Sequence, residues 1–182
     1  AAQLADGDTP VASLENERQS ALEQRVVADR ELASARATLD GIESRGADAV
    51  LVGGTASAIY AEHRFSRDAD HVLTDLRSRF DGVLKELESV AGWKTARVQR
   101  PVQILGSLDG IETGVRQLIR DEPLETTVLN YHGEQITVPT EGEILRIKGV
   151  LILKRNASRD YVDVVALADH MGDENIALAL QS

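Results

Sequence analysis

The stretch that decides the fold runs from residue 50 to residue 73 and reads VLVGGTASAIYAEHRFSRDADHVL. It opens with a short apolar run that ends in Gly53-Gly54, a pattern typical of a buried strand that runs into a tight turn. Thr55 is expected to cap a helix that extends to residue 62. Residues 68–73 have the composition of a second strand. The stretch therefore predicts a strand, a helix and a strand, in that order.

Two features of this stretch indicate phosphate chemistry. Glycines after a strand let the backbone approach a bulky anion, and the following helix N-terminus offers free N–H groups, to which Thr55 could add a hydroxyl. In a strand, Asp68 and Asp70 point to the same face. Two carboxylates so close are costly unless a cation lies between them, and Mg²⁺ prefers one or two carboxylates plus substrate phosphates. A Gly-Gly turn or an Asp-X-Asp alone is commonly structural, but together they predict metal-dependent phosphoryl or nucleotidyl transfer.

The rest of the chain predicts an α+β fold. A helix is expected over residues 76–90 and is stopped by Gly92. Strands are expected over residues 94–98, 102–105, 111–119, 124–131 and 135–138. Thr140 and Glu143 form a capping-box pattern before a helix over 144–154, and Ser158 is expected to cap the next helix, which Gly172 ends. We expect a mixed sheet with flanking helices and a C-terminal helical hairpin.

The domain organisation follows from the same pattern. Residues 1–13 are small, polar and interrupted by Gly7 and Pro10, which predicts a flexible tail. Residues 14–46 predict an N-terminal helix or arm, solvated in the favoured interpretation and paired with another chain in the alternative. Residues 47–139 form the expected core, and residues 140–182 form the C-terminal helical segment.

Composition limits the classes of protein that remain. The chain has 182 residues, a net charge of −10, 42% hydrophobic residues and no cysteine. These values predict a globular domain without disulfides or thiolate zinc sites. The acidic balance argues against a broad nucleic-acid-binding surface. No membrane-length apolar run and no secretory signal are visible, so a cytoplasmic location without membrane contact is the expectation.

The stretch 50–73 resembles the signature of the polymerase-β-like nucleotidyltransferases. Within that superfamily the sequence resembles the AbiEii/AbiGii toxins of type IV toxin–antitoxin systems, whose pattern adds an Arg-X-Ser before the aspartates and a late helical pair. Here Arg64-Phe65-Ser66 precedes Asp68, and the resemblance covers roughly residues 47–172. The late pattern reads Glu143, Lys148, Arg155, Arg159-Asp160 and Asp163.

The resemblance implies an enzyme that uses Mg²⁺ to move a nucleoside monophosphate from an NTP to an acceptor such as tRNA, and that a cognate antitoxin neutralises. It implies that Asp68 and Asp70 hold the metal and that Lys148 contacts phosphate. Asp163 would orient or activate groups within the hairpin. The implied nucleotide-binding residues are Gly53, Gly54, Thr55 and Arg155.

Helical spacing gives the late pattern a physical basis. Lys148 and Arg155 are seven residues apart and share a helix face. Arg159 and Asp163 are four apart and can pair, although Arg159 could equally hold Asp160. Cations near a triphosphate neutralise the charge that develops on the leaving pyrophosphate. The alternative is that these are surface charges of an amphipathic hairpin.

The sequence departs from the family pattern in one respect that bears on metal binding. Many nucleotidyltransferases carry a third acidic ligand on a later strand, and here the candidates are Glu112 and Asp109, unless the ligand is dispensed with or the site is weakened. His71 points away from the aspartates by strand alternation, so we expect a core position. Two alternative functions remain: a transferase acting on a small, antibiotic-type molecule, and a non-catalytic nucleotide-binding module.

The acceptor depends on how the basic residues are placed. They form two groups in the sequence: Arg97, Arg100, Arg116 and Arg120 on the later strands, and Arg146, Lys148, Lys154, Arg155 and Arg159 on the hairpin. If both groups border the cleft between Gly53 and Asp70, an RNA 3′ end can enter it. If they are paired with acidic neighbours, a small cationic acceptor is favoured.

Overall fold

The computed structural model describes residues 49–64, 66–131 and 134–181, together with five isolated N-terminal positions. Those five positions, Glu15, Asn16, Gln19, Ser20 and Glu23, are helical and exposed. The rest of the predicted tail (1–13) and arm (14–46) lies outside the described residues.

The described core contains seven strands and five helices in an α+β order. The strands are β1 (Val50–Val52), β2 (Asp68–Leu73), β3 (Trp93–Gln99), β4 (Gln103–Leu108), β5 (Ile111–Gln117), β6 (Thr126–Tyr131) and β7 (Glu134–Pro139). The helices are α1 (Gly53–Ala61), α2 (Leu76–Ser89), α3 (Glu141–Arg155), α4 (Ser158–Met171) and α5 (Asp173–Gln181). The fold class and the mixed sheet predicted from the sequence are confirmed.

The main sheet has the strand order β1-β2-β5-β4-β3. Only β2 and β5 are parallel, and the other neighbours are antiparallel. In the parallel pair Asp68 is opposite Glu112 and Asp70 is opposite Gly114. β6 and β7 form a separate two-stranded hairpin.

One face of the sheet carries the main core. Helix α2 buries its apolar stripe against Leu73, Ile104 and Val115 of three adjacent strands. The buried members of the stripe are Leu76, Phe80, Val83 and Leu87. Trp93 is partly buried and packs against this cluster. Because this face is filled, the side chains that alternate with it along β2, β5 and β4 point to the other face.

The C-terminal helices pack on α1. Ala56 of α1 lies in one buried cluster with Ile144, Leu145 and Leu167 of the α3–α4 hairpin and with Ala179 of α5. This packing brings the late charged pattern next to the Gly-Gly turn. Within the described residues, no helix combines the length and the apolar character needed to cross a bilayer.

Two of the three predicted helix caps are wrong. Thr140 does accept a hydrogen bond from the Glu143 N–H at 3.3 Å, as predicted. Helix α1, however, already begins at Gly53, whose φ of +77° favours glycine, so Thr55 lies inside the first turn. Helix α4 begins at Ser158 after Ala157, which makes no side-chain cap. The cap position lies three residues earlier in α1 and one residue earlier in α4 than the side-chain chemistry indicates.

Candidate active site

Asp68 and Asp70 lie on the face of β2 opposite the α2 core. Ser66 Oγ donates a hydrogen bond to Asp68 Oδ1 at 2.7 Å, and Thr55 Oγ1 donates to the Asp68 backbone oxygen at 2.5 Å. The Asp70 side chain remains 25% exposed. These contacts fix the start of β2 and leave the carboxylate pair accessible from solvent.

The glycine turn adjoins this pair. A Cβ built on Gly53 would lie 4.0 Å from Asp70 Oδ2, so the turn backbone passes beside the carboxylate. No side chain caps the N-terminus of α1. The first N–H groups of the helix are therefore available to an anion, and an anion bound there would lie next to Asp70. Gly53 and Gly54 thus lie at the start of α1 beside Asp70, and phosphate binding there stays a prediction.

Gly54 has a second role that the sequence did not indicate. A Cβ at this position would lie 2.4 Å from Arg64 Nη2 and 2.8 Å from Ser66 Oγ. Only glycine therefore leaves room for the Arg64 guanidinium against the turn. Thr55 is 9% exposed, and its hydroxyl is engaged with β2 rather than free.

Burial is the main influence on the ionisation of Asp70 and raises its pKa. The positive charge of Arg116 opposes this shift, and the negative charge of Asp68 adds to it. Arg116 Nη2 lies 3.5 Å from Asp70 Oδ1. A carboxylate whose pKa is raised by burial and a like charge gains from a bound cation.

The third acidic ligand is missing from the described residues. Among residues 49–64, 66–131 and 134–181, no three His, Asp or Glu side chains are grouped as a metal site would require. Glu112 is exposed and opposite Asp68, whereas Asp109 lies in the β4–β5 turn against Gly92. Asp68 and Asp70 are therefore the acidic pair that the described residues offer, and the identity of a third ligand stays a prediction.

The late pattern forms a buried ionic cluster, which we define as His63, Arg64, Lys148, Arg155, Asp160 and Asp163. Lys148 Nζ lies 2.6 Å from Asp163 Oδ2 and 3.5 Å from Asp160 Oδ1. All three of these side chains are at most 3% exposed. The Lys148 amine, predicted to contact phosphate, is therefore committed to two carboxylates of α4.

The Asp163 carboxylate is bound by several nitrogen donors. Arg64 donates from Nε at 2.6 Å and from Nη2 at 3.0 Å, and His63 Nε2 lies 2.9 Å from Oδ1. Burial alone would raise the pKa of Asp163, but the hydrogen bonds from Arg64, Lys148 and His63 outweigh it and hold the pKa at about 2. Such a carboxylate is a poor proton acceptor at neutral pH and a strong anchor, which favours the orienting role over the activating one.

Arg155 and Lys148 share a helix face, as predicted. Arg155 Nε and Nη2 bind Asp160 at 2.6 and 2.7 Å, and Lys148 reaches the same carboxylate. The hydrogen bonds from Arg155 hold the pKa of Asp160 below its ordinary value. Arg155 thus closes the turn between α3 and α4, and nucleotide binding by its partly exposed side chain stays a prediction.

The predicted pairing of Arg159 with Asp163 is wrong. Within the described part of the chain, Arg159 makes no ion pair, and Asp163 takes Arg64 and His63 from the loop before β2 instead. Helical spacing indicated the local partner because i,i+4 residues are neighbours. Arg64 and His63 are about a hundred residues away from Asp163 in sequence, and the only signal for this contact was the Arg-X-Ser of the family pattern.

Most of the predicted basic residues are paired with carboxylates. Six of the nine form ion pairs: Arg100 with Asp81, Arg116 with Asp70, Arg120 and Arg146 with Glu143, Lys148 with Asp163, and Arg155 with Asp160. Glu143 is itself buried between its two arginines. Both basic groups are thereby largely neutralised within the fold.

His71 is a core residue, as expected. It is fully buried on the α2 side of β2, and neither ring nitrogen makes a well-formed hydrogen bond. Burial lowers the pKa of His71 to about 4, although the backbone of Gly114 and Ala69 opposes the shift. The imidazole is therefore neutral at physiological pH and lies on the face of β2 opposite Asp68 and Asp70.

Solved structures with the same fold identify the class of protein. The crystal structure of ANT(2″)-Ia in complex with adenylyl-2″-tobramycin is similar with a TM-score of 0.58 at 10% identity, over 79% of this chain and 91% of that chain. The crystal structure of a putative nucleotidyltransferase from H. pylori has a TM-score of 0.57 at 19% identity, over 87% of this chain and 76% of that chain. These two similarities show a nucleotidyltransferase-like fold.

The family is shown by sequence. The family model described as nucleotidyl transferase AbiEii toxin, Type IV TA system, matches residues 39–181. The chain belongs to this AbiEii family, and the match extends beyond residues 47–172 at both ends. A separate similarity covers less: the heme uptake protein MmpL11 of Mycobacterium tuberculosis (strain ATCC 25618 / H37Rv) is 45% identical over 62 residues, 34% of this chain and 6% of that protein. The chain thus matches only a small part of the length of these curated relatives.

Proposed function

We propose that this nucleotidyltransferase is the Mg²⁺-dependent toxin of a toxin–antitoxin system, which transfers a nucleoside monophosphate from an NTP to an acceptor such as tRNA in the cytoplasm. One observation carries the chemistry: two accessible carboxylates on one face of β2, with the uncapped N-terminus of α1 beside them. The family supports the toxin role and a cognate antitoxin as partner.

The donor set fits a divalent cation. Asp68 and Asp70 supply two carboxylates from alternate positions of one strand, and burial together with the like charge favours a cation beside Asp70. In the proposal these two residues hold Mg²⁺. When bound, the metal neutralises charge on the reacting phosphates.

The other residues bind and position the nucleotide. The N–H groups at Gly53 and Gly54 receive the triphosphate, and Thr55 braces β2 through the Asp68 backbone oxygen. Lys148 binds Asp163, and Asp163 binds Arg64, so the two residues hold the α3–α4 hairpin against the loop before β2. The acceptor hydroxyl oxygen then bonds to the α-phosphorus, the bond to the pyrophosphate oxygen breaks, and the hydroxyl proton is released.

A second candidate acceptor is a small cationic molecule. The observation that favours it is the pairing of six of the nine basic residues, which leaves little free positive charge for a polynucleotide. ANT(2″)-Ia, a structure of the same fold, was solved with adenylyl-2″-tobramycin. The acceptor experiment must therefore include both classes.

The test of transfer uses the full chain with α-³²P-labelled NTPs and Mg²⁺, and with bulk tRNA or an aminoglycoside as acceptor. Asp70→Asn should abolish labelling while the melting temperature is retained, because it removes a proposed metal ligand and relieves a like-charge pair. Asp169→Asn, which changes an exposed carboxylate of α4, is the matched control and should leave labelling intact. Full activity of Asp70→Asn would refute the site.

The two acceptors give different results in the same assay. Labelled tRNA supports the toxin, and binding of tRNA should then weaken steeply between low and moderate salt through counterion release. Labelled aminoglycoside without tRNA labelling supports the second candidate. Binding of NTP without labelling of either acceptor would support the non-catalytic nucleotide-binding alternative.

A further inference from the structure

The row of side chains across the sheet at Asp70 has no second acid. Gly114 of β5 is directly opposite Asp70, and Leu105 of β4 is opposite Gly114. A Cβ at Gly114 would lie 2.5 Å from Leu105 Cδ2 and 2.9 Å from the Ile104 backbone oxygen. Because one of these atoms belongs to the backbone, no side chain fits there without a shift of the strand. The row therefore excludes a carboxylate from the position beside Asp70.

A guanidinium reaches Asp70 from the next position on the same strand face. Arg116 is two residues beyond Gly114 on β5, and its Nη2 lies 3.5 Å from Asp70 Oδ1. The Arg116 side chain is 43% exposed, so it can leave this position without unpacking the core. Arg159 also opposes the pKa rise of Asp70 but, within the described ranges, forms no ion pair with it. Arg116 is thus the cation in contact with the proposed metal ligand.

We propose that Arg116 is the internal counter-cation of Asp70, which a divalent cation must displace in order to bind. Two positive groups at one carboxylate repel each other, so the guanidinium and the metal compete for Asp70. Arg116 is then a positioning residue that weakens binding of the free metal ion. The inference depends on the proposed function, in which Asp68 and Asp70 are the metal ligands.

The chain offers a matched control for this inference. Arg97 on β3 lies in the same cross-strand row as Asp70, through Leu105 and Gly114. Three strand spacings separate it from Asp70, or about 14 Å. Within the described residues it is exposed and forms no ion pair. Arg97→Gln therefore makes the same change in net charge on the same sheet face, beyond the range of direct contact.

The experiment measures Mn²⁺ binding to the full chain without nucleotide, by titration calorimetry and by the loss of the free Mn²⁺ EPR signal. Arg116→Gln should bind Mn²⁺ about fivefold more tightly than the wild type, the scale of a partly exposed ion pair. Arg116→Lys keeps the charge and should stay within about twofold of the wild type, as should Arg97→Gln, whose charge is screened.

Each outcome has one meaning. Unchanged or weaker binding by Arg116→Gln would overturn the inference, provided that the wild type binds Mn²⁺ and Asp70→Asn does not. Equal tightening by Arg97→Gln would also overturn it, because the effect would then be one of net charge alone. Absence of Mn²⁺ binding in every variant, Arg116→Gln included, would refute the proposed metal site together with the inference.

Discussion

Replacing Lys148 by Met tests whether the buried ionic cluster holds the helical hairpin to the active site. The change keeps the length of the side chain but removes the amine that lies 2.6 Å from Asp163 Oδ2 in a region closed to water. Breaking a buried ion pair from one side costs about 3–5 kcal/mol. Asp163 keeps Arg64 and His63, so we expect the lower end, about 3 kcal/mol, or a fall in melting temperature of roughly 10 °C.

The assay is urea unfolding followed by circular dichroism, with the transfer rate measured on the folded fraction. Lys154→Met is the control, since Lys154 is an exposed residue of the same helix and should change stability by less than about 0.5 kcal/mol. A Lys148→Met variant as stable as the wild type would refute the structural role. If that stable variant still lost NTP use, Lys148 would act on phosphate, as the family resemblance implies.

Three further predictions concern pH and the glycines. Burial lowers the pKa of His71 to about 4, so the fold favours the neutral imidazole and is most stable above pH 6.5. The free energy of unfolding should fall by about 3 kcal/mol as pH falls from 6.5 to 4. His71→Leu should flatten this part of the dependence of stability on pH. The pKa of Asp163 is lowered to about 2, so its ionised carboxylate adds to the free energy of unfolding above the ordinary aspartate pKa. This contribution is lost only as pH falls below about 4, so Asp163→Asn should flatten acid unfolding between pH 4 and 2. Gly54→Ala should displace Arg64 and reduce transfer. A Cβ at Gly149 meets no atom within 4 Å, so Gly149→Ala should stabilise α3 by about 0.5–1 kcal/mol. Equal effects of the two changes in thermal unfolding and labelling would contradict this reasoning.

The first half of the site could be predicted because its determinants are local. Strand alternation places Asp68 and Asp70 on one face, and the Gly-Gly turn is adjacent to β2 in sequence and in space. Element types followed from hydrophobic period and turn residues, and the same alternation assigned His71 to the core. The position of β5 beside β2 could not be read in this way, because a parallel pairing depends on a long connection.

The second half of the site was predicted in its residues but not in its contacts. Helical spacing correctly put Lys148 and Arg155 on one face, but it gave no information on what that face meets. Asp163 is bound by a loop 99 residues earlier, and this contact depends on the packing of α1 against the hairpin. Local patterns therefore indicated solvent or phosphate as the partner, where the fold supplied carboxylates.

The closed charge arrangement of the buried ionic cluster restricts how this sequence can change over evolution. Two carboxylates closed to water, Asp160 and Asp163, share three cations, Lys148, Arg155 and Arg64. Loss of a cation therefore takes a donor from a buried carboxylate, and loss of a carboxylate takes a partner from the buried Lys148 amine. Single substitutions would then pass through a poorly folded intermediate, and compensating changes would have to occur in two segments far apart in the gene. We expect descendants of this chain to keep the cluster intact or to replace it as a unit, and a saturating pairwise mutational scan would reveal which.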